Sequence, residues 1–98
     1  MPYTISAHQV KDFADWKRAF DGAPDLRKQG RMKSYRVLQA AEDPNYVVML
    51  VEWDSQEDAQ AFLQSDQLQA AMKHSGVTKM FDTYDTSKFL IEVEQAPV

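Results

Sequence analysis

No cysteine occurs in the 98-residue chain. That absence removes disulfide frameworks, thiolate metal sites, iron–sulfur clusters and cysteine nucleophiles together. Glycine and proline are sparse, at three and four residues, which excludes collagen-like, linker-like and disordered classes. Long apolar runs are missing too. The longest covers residues 46–51, far short of the roughly 20 residues that cross a bilayer. The sequence does not open on a basic stretch followed by an apolar run, so a cytoplasmic location is expected. There is no glycine-rich phosphate loop, and the two histidines, His8 and His74, stand among scattered carboxylates without metal-ligand spacing. A serine–histidine–aspartate set has no local signature either.

What is present is ordinary for a folded chain: 44% hydrophobic and 27% charged residues. The length fits one domain over residues 1–98. The net charge of −4 is unevenly placed. Residues 1–36 hold eight Lys/Arg against four Asp/Glu, and residues 37–98 hold three against eleven. Between Arg27 and Arg36, five of ten residues are basic: Arg27, Lys28, Arg31, Lys33 and Arg36. Such an edge either draws an anionic ligand or is a solvated helix end followed by an exposed strand. Overall acidity argues against nucleic acid as a partner.

Apolar spacing gives the element order. Residues 3–10 read as a strand rich in β-branched and aromatic side chains. Asp12, with Asp15 three residues on, reads as an N-cap. Phe13, Trp16 and Phe20 then recur at helical spacing. Gly22 and Pro24 interrupt that helix and predict a kink, with its end at Gly30 in the C′ position. Residues 32–40 and 46–53 form a predicted hairpin across the turn Glu42-Asp43-Pro44-Asn45. The near-continuous apolar character of the latter marks a central strand covered on both faces.

Ser55 with Asp58, then Ser65 with Asp66, open two further helical segments, carrying Ala59, Phe62 and Leu63, then Leu68, Ala71 and Met72. Gly76 ends the second. A closing strand is expected near residues 88–94, with residues 80–86 an edge strand or ordered loop. The sum is a βαββαβ ferredoxin-like α+β fold, an antiparallel sheet with its helices on one face. The other face lacks cover, which a second copy of the sheet can supply.

The segment Trp53-Asp54-Ser55, followed by Ala61-Phe62-Leu63 and by Ser65-Asp66 with Leu68 and Ala70-Ala71, resembles the dimeric α+β barrel superfamily of antibiotic-biosynthesis monooxygenases. That resemblance implies a homodimer whose sheets close into a barrel, with a pocket between sheet and helices in each subunit. It further implies cofactor-free oxidation of a small aromatic or polyketide-like compound, in which a phenol anion reacts with dioxygen.

The superfamily's heme-degrading branch fits poorly. Its iron-ligand histidine falls at Met72, its pocket tryptophan at Phe62 and its first-strand asparagine near His8. His74 lies two residues past Met72, about 200° around a helix. No cofactor is therefore expected, and heme is disfavoured. Two other functions stay open on the same fold: a non-catalytic ligand-binding or interaction module, and a polyketide-type cyclase or isomerase.

Within this frame the catalytic candidates are His8, a base that titrates near neutrality without tuning, His74 at a helix C-terminus, and Tyr84 between Asp82 and Asp85. The substrate-binding candidates are Arg36, for an anion, and Trp53, Phe62 and Met72, as lining or core. Each has a plainer alternative: a solvent-facing or seam histidine, a loop tyrosine, a cross-strand charge, or a packed corner.

Overall fold

The computed structural model describes residues 2–81 and 89–98. The elements run β1 (Tyr3–Val10), α1 (Phe13–Asp21), α2 (Pro24–Gln29), β2 (Met32–Ala40), β3 (Tyr46–Trp53), α3 (Gln56–Leu63), α4 (Asp66–Ser75), β4 (Val77–Phe81) and β5 (Leu90–Pro97). The five strands form one antiparallel sheet in the order β4-β1-β3-β2-β5. The α+β ferredoxin-like reading holds, with β3 central between β1 and β2 as its apolar run requires.

Local chemistry sets the helix ends. Asp12, Ser55 and Ser65 each accept a hydrogen bond from the backbone N–H three residues on, at Asp15 (3.0 Å), Asp58 (3.1 Å) and Leu68 (3.2 Å). These bonds satisfy N–H groups that a first helical turn leaves without partners. At the expected kink the helix breaks outright. Gly22 caps α1, and Pro24 starts α2 in the first-turn position where its missing N–H costs nothing.

Gly30 does not take the left-handed C′ role. It is right-handed (φ −75°), and Arg31 adopts the positive φ of 60°. Close approach explains the glycine instead: a Cβ at Gly30 would stand 2.4 Å from the Phe62 ring. Gly76, at φ 87°, does end α4 in the left-handed conformation.

The closing strand also differs from expectation. The strand that completes the ferredoxin-like unit is β4, immediately after Gly76 and paired with β1. The alternating segment expected to close it is β5, which lies at the opposite edge beside β2. Alternation reveals a strand but not its neighbour, which is chosen by long-range pairing.

Side chains alternate across the sheet. One face, toward the helices, packs Val10, Trp16, Met32, Tyr35, Val37, Val47, Val51, Trp53 and Ala59. The other carries a smaller cluster of Ala7, Ala40, Tyr46 and Val48. Beyond that cluster it exposes Tyr3 (60%) and Ile5 (56%).

Candidate functional site

A cavity of about 140 Å³ lies between the helix-facing side of the sheet and the helices. Its floor comes from alternate residues of β1 and β3: Thr4, Ser6 and His8, then Met49, Val51 and Trp53. Its walls include Trp16 and Phe20 of α1, Arg27 of α2, Phe62 of α3 and Met72 of α4. Among the described lining residues, His8 and Arg27 are the imidazole and the one cation.

His8 is 5% exposed, and its Nδ1 is buried without a hydrogen-bond partner among the described residues. Its ring stands 5.5 Å from that of Trp16, which stacks in turn on Phe20 at 5.2 Å. Removing the imidazole from water penalises its charged form, so burial lowers the pKa from 6.5 to about 4. At neutral pH His8 is an uncharged imidazole in mostly apolar surroundings, where a proton it accepts is stabilised by the anion left beside it on the ligand.

Trp53, 1% exposed, donates from Nε1 to Thr4 Oγ1 at 2.9 Å and packs against Phe62 at 5.3 Å. It anchors the strand-to-helix corner and lines the cavity as well. Ser65 ties α3 to α4, donating to the Phe62 carbonyl (2.7 Å) while capping the next helix.

A polar cluster borders this region. Tyr35 donates its hydroxyl to Glu94, and Lys17 reaches both Glu94 (2.8 Å) and Asp21 (2.6 Å). Hydrogen bonds from Lys17 and Tyr35 hold the Glu94 carboxyl below its usual range. Burial, reinforced by the Glu94 contact, pushes the Tyr35 phenol up.

A model of the antibiotic biosynthesis monooxygenase family matches residues 9–74. The chain belongs to that family. No curated protein and no solved structure matches the chain.

Within this monooxygenase-family chain, the structure gathers His8, Trp53, Phe62 and Met72 around one cavity. It does not bring the other candidates there. Arg36 lies on the opposite face of the sheet, 3.7 Å from Glu92, because it alternates with Tyr35 and Val37 of the core. His74 is exposed in the last turn of α4 and is not among the lining residues. Tyr84 lies outside the described residues.

Arg27 and the Trp16–Phe20 pair are lining residues that the sequence reading did not single out for the site. The aromatic pair sits on the apolar stripe of α1, so its inward direction was legible. Arg27 was legible only as one member of a basic run. Which member turns inward depends on where the chain restarts its helix after Pro24. Among the described residues, no group of three or more His, Asp or Glu side chains is placed to hold a metal ion.

Proposed function

We propose that this family member is a cofactor-independent monooxygenase acting on a single-ring phenol or hydroquinone, working as a homodimer. The observation that carries this reading is a neutral, buried imidazole lining a ring-sized cavity whose walls are mostly apolar. An apolar cavity of about 150 Å³ accommodates benzene in another protein, so the 140 Å³ here suits one aromatic ring. A porphyrin is several times larger, which argues against heme in this space.

The chemistry asks the protein for little beyond positioning and proton handling. His8 takes the phenolic proton. The phenolate and imidazolium form an adjacent pair, so the desolvation that disfavours each alone is partly offset by their attraction. The electron-rich phenolate then reacts with dioxygen. One oxygen atom enters the ring as a quinone carbonyl, and the other leaves as water with the phenolic and ring hydrogens.

The test is oxygen uptake by the full chain with a panel of phenols and hydroquinones. Turnover of at least one, reduced about a hundredfold or more in His8→Ala, is the expected result for a general base. No uptake on any of them sinks the monooxygenase reading. Turnover that persists without oxygen would assign a cyclase or isomerase instead.

A further inference from the structure

The basic run from residue 27 to residue 36 separates into two kinds of side chain in the folded molecule. Arg31 lies 4.0 Å from Asp58, Lys33 3.9 Å from Asp54 and Arg36 3.7 Å from Glu92. Lys28 is exposed on α2. Arg27 alone of the five lines the cavity.

The Arg27 guanidinium is half-buried, 4.2 Å from the centroid of Phe20 and 5.4 Å from that of Tyr35. Its Nη1 donates to the carbonyl oxygens of Phe20 and Ala23, the latter at 3.4 Å. Both acceptors are neutral. Among the described residues no carboxylate comes within ion-pair distance of Arg27. The nearby Glu94 is engaged by Lys17 and Tyr35.

Among the described residues Arg27 therefore makes no ion pair: its charge sits against aromatic faces and helps from longer range to lower the Glu94 carboxyl, while Nε and Nη2 make no hydrogen bond to the described residues. A guanidinium in that position is suited to a planar carboxylate, which it can grip through two parallel hydrogen bonds.

Successive ring contacts also link the two lining groups His8 and Arg27. His8 neighbours Trp16, Trp16 stacks on Phe20, and Arg27 covers Phe20. We propose that the cavity selects a single-ring phenol bearing a short acidic side chain, with Arg27 as the specificity-determining residue that receives the carboxylate. This rests on the reading of the cavity as a phenol site and names the class of phenol. The ring lies along Trp16 and Phe20, the hydroxyl faces His8, and the carboxylate faces Arg27.

The experiment measures binding to the full chain by calorimetry, with Trp16 and Trp53 fluorescence reporting occupancy of the cavity. Three probes share a ring and differ in charge: 4-hydroxyphenylacetate, its neutral amide and the cation tyramine. The acid is expected to bind at least about tenfold tighter than the amide, as one charge-assisted contact provides, and tyramine is expected to bind weakest.

Arg27→Gln should close the gap between acid and amide. Because Arg27 also binds the carbonyls of Phe20 in α1 and Ala23 just before α2, Arg27→Lys serves if the glutamine variant does not fold. It keeps the charge but loses the fork, and should narrow the gap. Equal affinity for acid and amide in the wild type, a gap unchanged in both variants, or no binding of any probe overturns the proposal. The two readings fail separately. Oxygen uptake with neutral phenols but no acid preference sinks the specificity role alone, whereas acid preference without oxygen uptake sinks the monooxygenase reading alone.

Discussion

His8 shows how far environment can move a single side chain from its ordinary behaviour. As a residue in a sequence it titrates near neutrality; in the cavity burial lowers its pKa to about 4. Because the folded value lies below the unfolded one, the unfolded chain binds more protons between these two pH values, and stability rises with pH across that window. The full contribution of the neutral imidazole is present above about pH 6.5 and is lost progressively toward about pH 4. Acidification from about pH 7 to about pH 5 should therefore cost roughly 2 kcal/mol through this residue alone. Denaturant unfolding of the wild type and of His8→Phe at both pH values checks it, and the variant should lose most of the slope. Glu94 does not obscure the measurement. Its depressed pKa gives stability present above about 4.5 and lost as the pH falls through the folded value, at the acid end of the window.

Gly30 carries a second lesson at this scale. A glycine just past a helix usually signals a left-handed turn, yet here Arg31 takes that conformation and Gly30 yields space to Phe62. The sequence marks the position as special without stating which of glycine's two properties is in use.

At the scale of elements, the helices were the most legible parts, because their signals are local. Asp12, Ser55 and Ser65 read as N-caps in the sequence, and all three make the bond. Ser65 bears the most consequence, since its hydroxyl joins the end of α3 to the start of α4, two helices that contribute Phe62 and Met72 to the cavity. Ser65→Ala should destabilise the protein by about 1 kcal/mol, read as a lowered denaturant midpoint. A loss no larger than experimental scatter would place the link between the helices in packing and not in the cap. The strands were legible in existence but not in neighbours. β4 and β5 exchange the roles expected of them, because the choice of edge lies in backbone pairing across the whole sheet.

For the molecule as a whole, the asymmetry of the sheet is the main feature. One face is covered by four helices and holds the cavity, while the other exposes Tyr3 and Ile5 beside Leu50 at the centre of β3. The proposed homodimer pairs two such faces, association being one use of exposed apolar surface. Light scattering during size-exclusion chromatography should give about twice 11.3 kDa, and Leu50→Glu, which sets a charge in the middle of the face, should shift the species to one chain. A wild-type monomer at micromolar concentration would remove the dimer from the proposal while leaving the family membership intact.

The sequence by itself determined the α+β class, the family, the helix starts at Asp12, Ser55 and Ser65, and the inward apolar character of Trp53, Phe62 and Met72, though not whether they serve core or cavity. All of these depend on period, capping and short motifs, which act over a few residues. Only the tertiary structure decided which polar groups enter the cavity. His8 and Arg27 face it, while Arg36 lies across the sheet and His74 stands in solvent at the end of α4. The reason is geometric: one residue of strand alternation exchanges the two faces of a sheet, and the break at Pro24 resets the direction of every side chain in α2. A charged residue's sequence neighbours do not reveal either choice, whereas packing against Phe20 and Tyr35 settles it for Arg27.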